Sequence, residues 1–99
     1  MPNWLNAVVG RIRSFAVQGK VRFTLKALRE LALLGLDSGD ATAVISGLKC
    51  EEYVSRHVSP ATQECLYVFK PEIDGVLIYV KLAVRSDCIV ISFHEDEEE

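Results

Sequence analysis

Leu5, Val8, Ile12 and Phe15 recur three and four residues apart, with Arg11, Arg13 and Gln18 off that stripe, which predicts an amphipathic helix. Gly19 ends it in a left-handed cap. Thr24 is placed to cap a second helix with Leu25, Leu28, Leu31 and Ala32 as its buried face and Gly35 at its end. In "DSGDATAVISGL", Asp37 is the cap of a third helix and Asp40 favours its dipole from the first turn. Its stripe is Ala41, Val44, Ile45 and Leu48, and Gly47 closes it. The connections are short, so the helices pack on one another or on a common sheet.

The period then changes from three and four to two. Between Val76 and Arg85, the even positions Val76, Ile78, Val80, Leu82 and Val84 are all apolar, and the odd ones include Tyr79, Lys81 and Arg85. One uniformly apolar face marks a half-buried antiparallel strand. Ser86-Asp87 reads as a tight turn into Cys88–His94, with Ile89, Ile91 and Phe93 toward the core and Cys88, Val90, Ser92 and His94 away from it. "ECLYVFK" predicts a strand before Pro71, "EIDG" a turn, and "EEYVSRHV" a shorter edge strand closed by Pro60. The expected fold is α+β: three N-terminal helices packed on a three- to four-stranded antiparallel meander.

If the hairpin turns at Ser86-Asp87, positions summing to about 173 face each other. Tyr79 then lies opposite His94 and Lys81 opposite Ser92, on the face away from the helices, which Arg85 shares. Tyrosine among cations on an open sheet face is the composition of a platform for single-stranded RNA.

The chain of 99 residues forms one domain, residues 1–94, followed by an acidic tail, residues 95–99. The net charge of −3 conceals this division: five of the 14 acids lie in the tail, so the body has nine acids against 11 Lys and Arg. The tail is expected to be disordered and solvating, or to fold back over the basic face and compete with RNA. No apolar run reaches the roughly 20 residues of a membrane span, and the arginines of the first 20 residues interrupt what a signal peptide requires. The expected location is the cytoplasm. Cys50, Cys65 and Cys88 are too far apart for a zinc motif and read as buried, reduced thiols. No metal and no cofactor is expected.

"VRFTLKAL", "LGLD", "VISGL", "YVFKP", "YVKL" and "IVISFHE" resemble, in that order and spacing, the MqsR family of bacterial toxins, from about Val21 to Glu95. The resemblance implies a RelE-like fold and an mRNA interferase that cleaves single-stranded messenger without a metal. It also implies a cognate antitoxin with a zinc-binding and a DNA-binding domain, and no direct DNA binding by the toxin itself. Carried over by position, it makes Tyr79, Lys81 and His94 catalytic, with His94 standing where the family has lysine. A further family lysine falls at Ser55, or at Val54 under the other anchoring, so Arg56 is assigned its catalytic role. Lys70, Arg85, His57 and Arg22 are the expected RNA contacts. The family's glutamine falls on Leu66, which cannot do polar work. The alternative is therefore a non-catalytic member of the same fold that binds RNA or antitoxin.

Overall fold

The computed structural model describes residues 2–97. Helix α1 (Asn3–Val17) buries Leu5, Val9, Ile12 and Ala16, and the chain leaves it through Gly19 at φ 74°. The next segment departs from expectation: Val21–Phe23 is a strand, β1, parallel to the last strand of the chain. The order is therefore not three helices followed by a meander, nor the RelE-like arrangement expected with it. Three residues are too few for period-two alternation to show, and their partner is far along the chain.

Helix α2 (Leu25–Leu33) begins at Thr24, whose hydroxyl accepts the Ala27 amide. Its buried residues are Ala27 and Leu31, whereas Leu25, Leu28 and Ala32 are exposed. The expected apolar face is thus rotated: the Thr24 amide bonds the Val90 carbonyl, and Lys26 and Glu30 reach Ser92 and the Phe93 amide, which turns that side of α2 toward β6. Helix α3 (Ser38–Ser46) has Asp37 and Asp40 in a reciprocal capping box and buries Ala41 and Ile45.

A short 3-10 turn, Cys50–Glu52, leads to β2 (Tyr53–Val58), followed by β3 (Cys65–Phe69), β4 (Glu72–Ile73), β5 (Val76–Val84) and β6 (Cys88–Glu95). The strand order is β1-β6-β5-β3-β2, with β4 paired to β5, so the six-stranded sheet is mixed through the one parallel pair. Asp74-Gly75, at φ 51° and 81°, joins β4 to β5 through two residues with Ile73 facing Val76. The helices cover one face of the sheet, where their apolar residues meet Phe69, Ile78, Val80, Leu82, Cys88, Val90 and Phe93.

Two details of the β5–β6 hairpin correct the expected pairing. Val84 faces Cys88, so the turn contains Arg85, Ser86 and Asp87. Leu82 faces Val90 but Lys81 faces Ser92, which leaves Ile91 as an extra residue in β6. That bulge reverses the alternation partway along the strand. Cys88, Val90 and Phe93 lie toward the helices, not Ile89, Ile91 and Phe93. The longer turn and the bulge offset each other, so Tyr79 faces His94 as expected.

Of the three cysteines, only Cys88 is buried; Cys65 is exposed and Cys50 intermediate. Cys88 belongs to the core, and burial, reinforced by the charge of Asp87, pushes its thiol up to about 12. Among the described residues no helix is long and apolar enough to cross a membrane. In the acidic tail, Glu95 is the last residue of β6, facing Ile78, and the Asp96 amide donates to the Leu77 carbonyl at 2.9 Å. Residues 98–99 lie outside the described residues.

Candidate nucleic-acid site

Tyr79 and His94 hold directly paired positions on β5 and β6, on the sheet face opposite the helices. Their rings stack, with centroids 5.0 Å apart and planes 11° from parallel. Lys81, two residues along β5, points the same way, and its Nζ lies 5.9 Å from the Tyr79 ring centroid. His94 Nδ1 is 2.8 Å from the carbonyl oxygen of Glu95. A carbonyl only accepts, so Nδ1 carries the hydrogen, and in the neutral ring Nε2 keeps its lone pair. The imidazole is thereby fixed in the tautomer that can take a proton through Nε2.

Ser92 faces Lys81 across the hairpin and is 4% exposed. Helix α2 reaches it from the edge of β6: Lys26 Nζ is 2.9 Å from Ser92 Oγ and 3.0 Å from Glu30 Oε2. Glu30 Oε1 accepts the amide of Phe93, the residue before His94, at 3.0 Å. This carboxylate thus occupies an edge position of β6 that β1, ending opposite Val90, leaves open. Burial works against its ionisation. The Phe93 amide, Lys26 and the charge of His94 outweigh that cost and hold its pKa below the usual glutamate value.

Beyond Tyr79, Lys70 follows the end of β3 and pairs with Asp96 at 3.3 Å, with 17% and 11% of the two side chains exposed. The start of the acidic tail therefore engages one of the expected RNA contacts. At the turn end of the same face, Arg22 binds Asp87 at 2.5 and 3.3 Å. Arg85 forms a two-point ion pair with Glu64, one contact at 2.8 Å. Both carboxylates are held below their ordinary range, Asp87 first by its bond to Arg22 and Glu64 by its bond to Arg85. Leu66, Val68, Ala83 and Ile89 form an apolar strip between these ion pairs and Lys81.

The structure brings Tyr79, Lys81 and His94 together, with Lys70 at one margin. It does not bring Arg56 there. Arg56 faces Tyr67, which faces Leu82, so it lies on the helix side, with its guanidinium 4.5 Å from the Trp4 ring centroid. His57 shares the open face but stands on β2, the sheet edge, 3.0 Å from Ser55 Oγ. Ser92 joins the cluster opposite Lys81 as the register predicts, whereas Lys26 and Glu30 are brought to it from α2, which the sequence pattern does not show. The i,i+4 spacing of Lys26 and Glu30 was visible, but not that α2 would lie along β6. A groove of about 230 Å³ beside Leu34, Ile73 and Ile78 lies on the other side of the sheet. No three His, Cys, Asp or Glu side chains converge as metal ligands among the described residues.

The family model described as "motility quorum-sensing regulator, toxin of MqsA" matches residues 8–95. The chain belongs to the MqsR toxin family. No curated protein matches it. Membership makes it a toxin of a toxin–antitoxin system, with an antitoxin of the MqsA type as the implied partner. The stretch matched to the MqsR family contains the whole β5–β6 hairpin and both residues of the Tyr79–His94 stack.

Proposed function

We propose that this toxin is a metal-independent endoribonuclease that cuts single-stranded mRNA at the Tyr79–His94 face and is silenced by its antitoxin. The observation that carries the reading is the stack itself: an imidazole with Nε2 open, a phenol beside it and an ammonium on the same strand. Those are the groups that RNA cleavage by its own 2′-hydroxyl requires. His94 Nε2 takes the 2′-hydroxyl proton as that oxygen attacks phosphorus. Lys81 balances the charge growing on the phosphoryl oxygens. The P–O5′ bond breaks, and the 5′-oxygen leaves with the Tyr79 hydroxyl proton; the proton on His94 then passes through water to the phenolate, which restores both groups. The products are a 2′,3′-cyclic phosphate and a 5′-hydroxyl end. The antitoxin expected from the family resemblance has a zinc-binding and a DNA-binding domain.

A second reading, RNA binding without cleavage, is favoured by Leu66 standing where the family resemblance expects a glutamine and Ser55 where it expects a lysine. It is favoured too by Arg22 and Arg85 being occupied by Asp87 and Glu64. The deciding experiment incubates a long purified messenger with the isolated protein in EDTA, beside His94→Ala. Fragments with 5′-hydroxyl ends, lost in the variant, support the enzyme. Binding without cleavage by the folded native protein supports the second reading.

A further inference from the structure

Lys26 belongs to helix α2, not to the hairpin, yet its ammonium ends 2.9 Å from Ser92 Oγ. Ser92 faces Lys81, and both point to the side of Tyr79 and His94. Lys26 therefore reaches, from α2, the serine that Lys81 faces across the hairpin. The Lys26 side chain is 60% exposed, so its charge is open to solvent at that place. Glu30 holds it at 3.0 Å, and the other oxygen of Glu30 is tied to the Phe93 amide. An ammonium has three donors. Ser92 and Glu30 take two, which leaves the third, among the described residues, for an incoming oxygen.

We infer that Lys26 is a phosphate-binding residue of the Tyr79–His94 site, holding the RNA backbone beside the cleaved linkage, with Glu30 as its positioning residue. This rests on the reading of that face as an RNA site. A lysine supplies a point charge on a flexible stem, which suits a phosphate whose exact place varies along a strand. Glu30 and Ser92 restrict that stem, so less freedom is lost when the phosphate arrives. The helix thus adds the anion contact that the hairpin, with Lys81 as its one lysine, does not supply.

The test is the affinity of the full chain for a 2′-O-methylated single-stranded RNA, which cannot be cleaved, measured by fluorescence anisotropy over a range of salt. Lys26→Gln is compared with Lys26→Arg and with Lys49→Gln, an exposed lysine beyond α3. For Lys26→Gln the slope of log affinity against log salt should fall by ~0.7, a roughly eight-fold loss near 50 mM that vanishes near 1 M. Lys26→Arg should restore both, and Lys49→Gln should change neither. An unchanged slope in Lys26→Gln overturns the inference, and so does a loss of affinity that is independent of salt, which marks a purely structural role. An equal change in Lys49→Gln also overturns it. Native protein that cleaves messenger while Lys26→Gln behaves as native sinks this inference alone. Native protein that neither binds nor cleaves RNA removes it together with the reading on which it rests.

Discussion

Tyr79 and His94 stack nearly parallel across a directly paired position of the hairpin, 5.0 Å between centroids. The proposed function gives Tyr79 two different jobs in that arrangement, and substitution separates them. Tyr79→Phe keeps the stacked ring and removes the hydroxyl. Cleavage should fall by about 100-fold or more, the usual worth of a positioned proton donor, with RNA affinity little changed. Tyr79→Ala removes the ring as well, so affinity should also fall, by about 1–3 kcal/mol if a base stacks there. Equal cleavage by Tyr79→Phe and native protein would exclude the phenol as the acid.

Glu30 joins α2 to the edge of β6 through the Phe93 amide. Glu30→Ala leaves that amide, which is partly buried, without its acceptor, and unfolding in urea should show a loss of about 1–3 kcal/mol. A loss within error would mean that water replaces the carboxylate without cost.

The same group sets a pH dependence. Its folded pKa lies below the ordinary value of 4.5, so its contribution is complete above that value and is lost as pH falls through the folded pKa. Glu64 and Asp87 are shifted the same way. The native chain should therefore lose melting temperature as pH falls below about 4.5. Glu30→Gln, which keeps an acceptor for the Phe93 amide, should lose less over the same range. Parallel curves for the two proteins would show that Glu30 does not contribute to the acid limb.

The helices and the central hairpin were legible because each follows a local rule. Thr24, Asp37 and Asp40 are caps that act within three residues, and the alternation from Val76 to Val84 is long enough to define a face. What was not legible depends on distant partners. Val21–Phe23 becomes a strand only because Cys88–Val90 lies beside it. The bulge at Ile91 has no composition of its own, since Ile89, Val90 and Ile91 are equally apolar. Residue by residue, the site divides along the same line. Tyr79, Lys81 and His94 follow from strand register, whereas the place of Arg56 depends on a segment where β2 itself is irregular, between Tyr53 and Ser55. Lys26 and Glu30 enter only through the docking of α2 on β6.

The thiols should separate sharply in reactivity. Cys88 lies in the core with its thiol pushed up to about 12, so almost no thiolate exists at neutral pH and no reagent reaches it. Cys65 is exposed at the start of β3. Under native conditions, iodoacetamide followed by mass spectrometry should label Cys65 first and Cys88 only after denaturant is added. Early labelling of Cys88 would mean that β6 opens locally well below the global unfolding free energy.

On the proposed reading of Lys70 as an RNA contact, its pair with Asp96 sets the start of the acidic tail in competition with phosphate for one cation. Both side chains are largely buried, so the pair is screened less by salt than an exposed one. Asp96→Asn preserves the shape of the side chain and removes its charge. Two effects should follow together. The fold should lose about 1.5–3 kcal/mol, the worth of a hydrogen bond to a charged group. Affinity for single-stranded RNA at low salt should rise, because the Asp96 charge no longer competes with phosphate for the Lys70 ammonium. Removing residues 96–99 should raise affinity at least as far. Unchanged affinity in both variants would end the idea that the tail competes with RNA. Reduced affinity would give Asp96 the opposite role, that of holding Lys70 in the position at which it meets the RNA.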